Sequence, residues 1–542
     1  MSEAFTPDER IILQRRFSNI DAPVFALTGM PDVVKGALFA RYSRSPKSLR
    51  RLYLDEFHEE LAGTGNSAVT ADAGAAAGVQ HAEELYERVL VEYGDDSVAQ
   101  LVGVHVAVED ASNVLTKVLE WGRLLAYLEQ STRYIPYNQQ QDGRWRYHVP
   151  AELAASPLRE RYVATLDRAF ATYARWFEPA EAYLRERFPR GEGDTKTAHR
   201  LSIRAKACDI LRGLLPAATT ANVGIFGSAQ AFEALLLRLQ QHPLAEARET
   251  GARMLAELRA VVPVFMRRVD RDDRGGAWSR YLRETAERTA AEAQRVLAAD
   301  AQGVTAPGVV LTDFDPDGEA KVIAAALYPH ATLDDASLLD AVRRMTGEER
   351  ERVLRACIGE RANRRHKPGR ALERTSYRFD VVTDYGAFRD LQRHRMLTID
   401  WQPLSPRLGY DVPPEIDDLG AGDEWRAVMD ECASLYEAIR GAGLPLVAPY
   451  AVPMAYRIRF YMQMNAREAM HLIELRTSPQ GHPSYRWVCQ QMWRRIDEDA
   501  GHHAIAAAMR FVDMADGPGL ERLEAERRKA ARVEALGGHP RA

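Results

Sequence analysis

Apolar residues recur at helical spacing along much of the chain, and few segments alternate between apolar and polar residues. The segment 464–476 is rich in Ala, Met, Leu and Glu and lacks proline and glycine, which predicts a helix. Residues 281–299 and 319–326 are predicted to be helical as well. Short strands are predicted at 145–149, 309–312 and 379–383. The expected fold class is therefore a helix-rich α/β (α+β) protein.

The predicted helix over 464–476 also carries polar side chains. Asn465 and Arg476 are 11 residues apart, so at about 3.6 residues per turn they share one face, three turns apart. His471 borders that face. An ordinary amphipathic helix with a solvated polar stripe is one interpretation. Because apolar residues cover the rest of the helix, we favour a face that lines a cleft.

Composition excludes several classes of protein. A chain of 542 residues with 46% hydrophobic residues exceeds one typical core, so two or more domains are expected. Its net charge of -5 argues against a nucleic-acid-binding protein. No apolar run approaches the ~18 residues of a membrane span, and the N-terminus does not resemble a signal peptide. The scattered cysteines indicate reduced core thiols in a cytoplasmic protein: Cys208, Cys357, Cys432 and Cys489.

Arg393, His394 and Arg395 place three potential cations next to one another. Two planar guanidinium groups suit pyrophosphate oxygens or the electron-rich edge of a flavin ring better than lysine does. The alternative is the last turn of a helix, where cations favour the negative end of the helix dipole. The triplet alone leaves both interpretations open.

The residues after the triplet carry a resemblance to a known family. With Thr398, Asp400 and a later Ser-x-Arg, the triplet resembles the signature R-H-R-x-x-S-x-N-x-x-S-x-R-Y of the flavin-dependent thymidylate synthases. The segment from Asn465 to Arg476 resembles the later N-x-R-x-x-x-H/N-x-x-x-x-R helix of the same family, which contacts flavin and nucleotide. The two matches occur in the expected order.

The second half of the chain departs from this pattern where the family binds nucleotide. Thr398 and Asp400 replace Ser and Asn, and the pair Ser405 and Arg407 comes two residues late. Trp401 stands where family members often carry a substrate-binding Glu. The position of the phosphate-binding Arg falls on Pro449. This half is thus equipped for flavin but poorly equipped for nucleotide.

The first half of the chain resembles the missing part. Residues 129–134, Glu-Gln-Ser-Thr-Arg-Tyr, match the end of the signature, whereas the triplet position holds Trp-Gly-Arg at 121–123. Arg212, four residues before Pro216, resembles the phosphate-binding Arg, and Arg238 resembles the end of the nucleotide helix. Each copy is defective where the other is intact, which indicates a diverged tandem duplication.

The predicted organisation is two tandem domains that resemble flavin-dependent thymidylate synthases. Residues 1–300 form the N-terminal repeat, which retains the nucleotide residues and ends in a connecting helix. Residues 301–542 form the C-terminal repeat, which retains the flavin triplet and ends in a charged helical tail over 520–536.

The resemblance implies reductive methylation of dUMP to dTMP. FAD is the implied cofactor, methylenetetrahydrofolate and NADPH are the implied co-substrates, and no metal is implied. Arg476 and Arg238 are the predicted catalytic residues. The predicted cofactor-binding residues are Arg393, His394, Arg395, Asn465 and His471. The predicted substrate-binding residues are Glu129, Ser131, Arg133, Tyr134, Arg212, Ser405 and Arg407. The resemblance also implies a homo-oligomer, a dimer of tandem chains. Net charge and hydropathy predict no nucleic-acid or membrane partner.

Two alternative functions remain at this point. The departures at Thr398, Asp400 and Trp401 favour a flavin enzyme that modifies a different pyrimidine nucleotide. A non-catalytic nucleotide-binding or scaffold protein is the other alternative, because tandem duplicates often lose their activity and keep their fold.

Overall fold

The computed structural model describes residues 4–43, 45–58, 99–297, 303–515, 519–520, 523–524 and 527. The chain forms two compact units, each built from several segments. The first unit comprises Met1–Val108, Gly122–Leu128 and Val223–Ala301, and the second comprises Glu109–Trp121, Glu129–Asn222 and Gln302–Ala542. The repeat boundary at residue 300 stays a prediction, since these units follow compactness and not repetition. Most of the predicted tail helix over 520–536 lies outside the described residues.

The first unit is rich in helices. Its described helices are α1 (Pro7–Gln14), α2 (Asp32–Tyr42), α3 (Leu49–Glu56), α7 (Ala229–Gln241), α8 (Ala245–Val261), α9 (Pro263–Met266) and α10 (Gly275–Val296). The last of these confirms the helix predicted at 281–299 as far as residue 296.

The second unit carries the long helices that surround the predicted site residues. Its described helices are α4 (Asn113–Leu119), α5 (Leu158–Arg187), α6 (Lys196–Leu211), α11 (Gly318–Leu327), α12 (Asp335–Arg343), α13 (Gly347–Ile358), α14 (Tyr385–Gln392), α15 (Pro414–Asp418), α16 (Gly422–Gly441), α17 (Ala466–Arg476), α18 (Pro483–Arg494) and α19 (His503–Ala508). The helix predicted at 319–326 is confirmed as α11. The helix predicted at 464–476 is confirmed as α17 from Ala466 onward, whereas Met464 and Asn465 belong to the preceding strand, Arg457–Asn465.

Two β-sheets repeat one topology. The first contains β1 (Gly103–Ser112), β2 (Ala126–Glu129) and β3 (Thr220–Ser228) in the order β1-β3-β2. The second contains β4 (Gly308–Phe314), β5 (Ser376–Asp384), β6 (Thr398–Trp401) and β7 (Arg457–Asn465) in the order β4-β5-β7-β6. Strands β5, β7 and β6 thus repeat the order of β1, β3 and β2, which supports the predicted duplication. The α/β fold class is confirmed.

Equivalent strands lead into helices through equivalent capping residues. Ser112 is the last residue of β1, and Asp384 is the last residue of β5. Their side chains accept hydrogen bonds from backbone N–H groups in the first turns of α4 and α14. Ser228 and Asn465 do the same between β3 and α7 and between β7 and α17. An oxygen at this position satisfies one of the backbone N–H groups that a helix start leaves without a partner.

Two proline-containing loops pair with each other within the second unit. Pro216 and Pro453 form an antiparallel bridge. The Ala217 N–H donates to the Val452 carbonyl at 2.8 Å. Arg212, which precedes the first of these loops, is thereby fixed on the same framework as β7.

One predicted strand is wrong. Residues 145–149 form no strand, and Tyr147 makes a single bridge to Thr219. The apolar alternation reflects packing against α5 instead. The ring centroids of Trp145 and Tyr147 lie 5.7 Å and 5.6 Å from that of Phe170. The strands predicted at 309–312 and 379–383 are confirmed in β4 and β5.

Cys208, Cys432 and Cys489 are buried and Cys357 is half-buried, and all four are free thiols. Across the described part of the chain, no helix has the length and apolar character of a membrane span.

Candidate functional site

Helices α14 and α17 of the second unit bring the flavin triplet and the predicted catalytic arginine together. Arg393 and His394 directly follow α14, and Arg476 is the last residue of α17. The Arg476 Nε–H donates to His394 Nε2 at 2.9 Å. Asn465 caps α17 by accepting from the Glu468 N–H at 2.9 Å.

The contact with Arg476 fixes the protonation of His394. A guanidinium N–H can only donate, so His394 Nε2 is the acceptor and the ring proton lies on Nδ1. Nδ1 faces Glu468 Oε1 at 3.3 Å. Burial, with help from Arg476 and Arg393, lowers the pKa of His394 well below its ordinary value. His394 is therefore a neutral imidazole that orients Arg476.

His394, Glu468 and His471 form a cluster with metal-ligating atoms. One such atom from each residue lies within 4.8 Å of the others. Burial lowers the pKa of His471 and raises that of Glu468. While His394 Nε2 accepts a hydrogen bond from Arg476, Nδ1 carries the ring proton and has no lone pair for a metal ion. In the observed geometry, His394 orients Arg476.

The predicted phosphate-binding residues converge around a small cavity, which we call the arginine cradle. The cavity has a volume of about 10 Å³, comparable to one water molecule. It is lined by Glu129, Gln130, Ser131, Thr132, Arg133, Arg212, Arg389, Asp390 and Arg393. Four of the predicted substrate-binding residues, Glu129, Ser131, Arg133 and Arg212, thus line the same cavity as Arg393, the first residue of the flavin triplet.

Carboxylates hold the arginines of the cradle in place. Arg133 forms a bidentate pair with Asp209, with two contacts of 2.7 Å. Asp390 contacts both Arg212, at 3.2 Å, and Arg393. Burial alone would raise the pKa of Asp390, but Arg393 and Arg212 lower it strongly. Both carboxylates are therefore ionised at neutral pH.

Glu129 lies at the cationic centre of the cradle. Its carboxylate is 2.8 Å from Arg389, 3.5 Å from Lys117 and 3.9 Å from Arg393. Burial would raise the pKa of Glu129, but these three cations together lower it to about 2. The negative charge of Glu129 therefore offsets part of the cost of burying these cations.

Three guanidinium nitrogens of the cradle lack a hydrogen-bond partner among the described residues. Arg212 Nη2, Arg389 Nε and Arg393 Nε are buried and make no hydrogen bond to any described residue. Buried donors are normally satisfied, so each such group calls for an explanation. An acceptor oxygen that reached one of these donors would satisfy it.

Tyr485 of α18 connects the cradle to Arg476. Its hydroxyl oxygen accepts from Arg133 Nη1 at 2.8 Å. The guanidinium carbons of Arg133 and Arg476 lie 5.6 Å and 5.4 Å from the centre of its ring. Arg476, predicted to be catalytic, and Arg133, predicted to bind substrate, thus share one aromatic neighbour.

Sequence reasoning missed several residues of this site. Arg389 and Asp390 lie one helical turn before Arg393, and Asp209 lies one turn before Arg212, so helical spacing could have indicated all three. Tyr485 had no local signal, because the fold alone brings α18 to the cradle.

The remaining predicted residues have other surroundings. Arg407 is exposed, 3.9 Å from Glu437, and neither it nor Ser405 lines the cradle. Tyr134 and Arg395 are exposed. Arg238 belongs to the first unit. The functional roles of these residues stay predictions.

One family model matches two separate segments of the chain. The family model described as thymidylate synthase complementing protein matches residues 40–264 and 310–500, more than half of the chain. The two matched segments agree with a tandem duplication.

Relatives of full length are similar to the chain as a whole. A UPF0159 protein of Chlamydia muridarum is 38% identical, over 97% of this chain and 99% of its own length. A UPF0159 protein of Thermoplasma acidophilum is 31% identical, over 91% and 98%. A flavin-dependent thymidylate synthase of a Mycobacterium species is 29% identical, over 33% of this chain and 66% of its own length.

A solved structure completes the comparison. The UMP/dUMP methylase of Streptomyces cacaoi bound with 5-Br dUMP aligns with 37% of this chain and 95% of its own, at 20% identity and a TM-score of 0.29. The assignment rests on the family model and the full-length relatives. The chain belongs to the thymidylate synthase complementing protein (Thy1) family.

Proposed function

We propose that the chain is a flavin-dependent thymidylate synthase-like enzyme that methylates dUMP reductively to dTMP. The observation that carries this proposal is the arginine cradle. In it, the nucleotide residues of the first repeat, Glu129, Ser131, Arg133 and Arg212, lie beside Arg393 of the second repeat. On this proposal, the residues lost from each repeat are supplied by the other repeat in one composite site.

The residues after α14 fit an anionic cofactor such as FAD. Arg393 has a buried Nε without a hydrogen-bond partner among the described residues, and Arg395 is exposed beside it in sequence. Arg393, His394, Arg395, Asn465 and His471 would hold the cofactor. When bound and reduced by NADPH, FAD supplies the hydride, and methylenetetrahydrofolate supplies the carbon.

The cradle would hold the nucleotide phosphate. Arg133 and Arg212 present planar donor forks that match phosphate oxygens, and the Ser131 hydroxyl lines the same cavity. Because Asp209 and Asp390 now engage these forks, the phosphate has to share or replace those contacts. The cradle therefore has to open to admit a phosphate, since its cavity has about the volume of one water molecule.

Arg476 would stabilise negative charge that develops on the uracil ring. Its Nε–H is held by the neutral His394, which leaves the other guanidinium N–H groups for a ring carbonyl. A cation held in advance requires little reorganisation during the reaction. No covalent nucleophile from the protein is needed on this account.

Product analysis tests the proposed function. The full chain is incubated with FAD, NADPH and methylenetetrahydrofolate, and with dUMP, UMP or CMP in separate reactions. Formation of dTMP from dUMP supports the proposal. Methylation of UMP or CMP alone would favour the enzyme with a different pyrimidine substrate. Absence of any product, together with failure to bind FAD, would favour the non-catalytic relative.

Asp390→Asn is expected to tighten dUMP binding by about tenfold. The change removes one of the negative charges that face the phosphate and keeps an oxygen acceptor for Arg212. Isothermal titration with dUMP and with deoxyuridine measures the effect. Deoxyuridine has no phosphate, so its affinity is expected to stay unchanged. Equal changes for both ligands would contradict a phosphate position beside Asp390.

A further inference from the structure

Tyr485 of α18 is a buried aromatic residue that lies beside two arginines of the composite site. It is 4% exposed. Its ring centre lies 5.6 Å from the guanidinium carbon of Arg133 and 5.4 Å from that of Arg476. A cation within about 6 Å of an aromatic ring is attracted by the negative face of that ring. One side chain therefore attracts both the arginine predicted to bind substrate and the arginine predicted to be catalytic.

The Tyr485 hydroxyl and Asp209 use different nitrogens of Arg133. Asp209 accepts from Nε and from Nη2, each at 2.7 Å, whereas the hydroxyl oxygen accepts from Nη1 at 2.8 Å. Nε and Nη2 form a planar fork that matches two oxygens of a phosphate. A phosphate can therefore replace Asp209 on this fork while Tyr485 keeps its hydrogen bond and holds the guanidinium group in place.

Packing alone does not explain the hydroxyl group of Tyr485. A phenylalanine would fill nearly the same space beneath the two arginines. Burial raises the pKa of Tyr485 above its ordinary value, so the hydroxyl is neutral at neutral pH and accepts through an oxygen lone pair. The contact with Arg133 is the interaction that a phenylalanine would lose.

The ring of Tyr485 fixes the position of Arg476 relative to Arg133. The Arg476 Nε–H is held by His394 at 2.9 Å, and the Tyr485 ring lies beside the same guanidinium group. The two cations repel each other, and this repulsion is strong because the Arg133 side chain is only 12% exposed. A ring that attracts both cations thus opposes their separation and keeps each in one place.

We propose that Tyr485 is a positioning residue that links recognition of the substrate phosphate to the placement of Arg476. Its hydroxyl keeps Arg133 oriented while the phosphate takes the place of Asp209, and its ring holds Arg476 for the base of the same nucleotide. A nucleoside has no phosphate, so it leaves Asp209 on Arg133 and gains nothing from the hydroxyl. This inference rests on the proposed function.

Two substitutions separate the hydroxyl from the ring. Tyr485→Phe removes the hydroxyl, so the Kd for dUMP is expected to rise about three- to tenfold, with kcat for dTMP formation unchanged. The Kd for deoxyuridine is expected to stay unchanged as well. Tyr485→Leu also removes the ring, so kcat is expected to fall about tenfold. Isothermal titration of the FAD-loaded chain measures both Kd values, and the rate of dTMP formation at saturating dUMP measures kcat.

A matched control removes the same group elsewhere in the second unit. Tyr456 is buried, and its O–H donates to the Met429 carbonyl at 2.9 Å. Tyr456→Phe is expected to leave the Kd for dUMP and kcat unchanged. The flavin absorbance and the thermal unfolding midpoint of each variant show whether it is folded. Tyr485→Phe keeps the inference testable if Tyr485→Leu does not fold.

Each outcome either supports or overturns the inference. Weaker dUMP binding in Tyr485→Phe, with unchanged deoxyuridine binding and unchanged kcat, supports it. Equal weakening for both ligands overturns it, and so does a folded Tyr485→Leu chain with wild-type kcat. If the wild-type chain forms dTMP and both Tyr485 variants match it, the inference alone is wrong. If the wild-type chain neither binds dUMP nor forms dTMP, the proposed function is wrong and the inference falls with it.

Discussion

Glu129→Gln is expected to lower the free energy of unfolding by about 3–5 kcal/mol. The substitution keeps the size of the side chain and removes the negative charge that faces Arg389, Lys117 and Arg393. The three cations then lose a negative charge that offsets their mutual repulsion and the cost of their burial. Urea unfolding of the wild-type and variant chains, followed by circular dichroism at pH 7, measures the difference.

A matched surface variant distinguishes this effect from a general cost of losing a carboxylate. Glu437→Gln makes the same change at an exposed side chain that pairs with Arg440 at 2.7 Å. Surface pairs contribute about 0–1 kcal/mol, so little change is expected there. Equal destabilisation by both substitutions would show that Glu129 has no special role in the cradle.

The pH dependence of this difference has a defined sign. Folding lowers the pKa of Glu129 from its ordinary value of 4.5 to about 2. The stabilisation is therefore complete above pH 4.5 and is lost as the pH falls toward 2. The stability gap between wild type and Glu129→Gln is expected to shrink over that interval. A gap that widens with acid would contradict the contacts seen here.

Simultaneous replacement of Arg133 and Arg212 by alanine is expected to weaken dUMP binding at least about 100-fold. Each side chain supplies charge-assisted hydrogen bonds to the phosphate on the proposed account, and together they form two sides of the cradle. Isothermal titration with dUMP measures the loss. Unchanged affinity would show that the composite site is wrong.

Further variants guard against loss of folding in the double mutant. Arg212→Ala leaves the buried Asp390 with fewer cations, so Arg133→Lys and Arg212→Lys are tested singly as well. They keep the charge and lose the planar fork, and about tenfold weaker binding is expected from each. Arg407→Ala is the control, since Arg407 is exposed and lies outside the cradle lining. A larger loss from Arg407→Ala than from the lysine variants would relocate the phosphate.

Much of the fold could be predicted because local sequence rules determine it. Helix α17 follows from its composition, and Asn465 is the type of residue that caps a helix start. Strand β5 follows from its short apolar run. The segment 145–149 shows the limit of these rules. Its aromatic residues pack on Phe170, and nothing in the local pattern distinguishes that from strand pairing.

The site was predictable only in part, for a related physical reason. Motif spacing identifies Arg133, Arg212 and Arg393, because the chemistry requires cations at fixed positions. It does not identify the groups that make buried cations tolerable. Asp209 and Asp390 are set by the packing of α6 and α14, and Tyr485 by the packing of α18.

The visible absorbance of the purified chain after anaerobic addition of NADPH, with and without dUMP, tests the central claim most directly. The account predicts flavin bands that bleach faster when dUMP is present, and predicts that dUMP loses this effect in the Arg133→Ala, Arg212→Ala chain while the flavin stays bound. A protein that cannot be reconstituted with FAD would contradict the account. An identical response to dUMP in the double variant would contradict it as well.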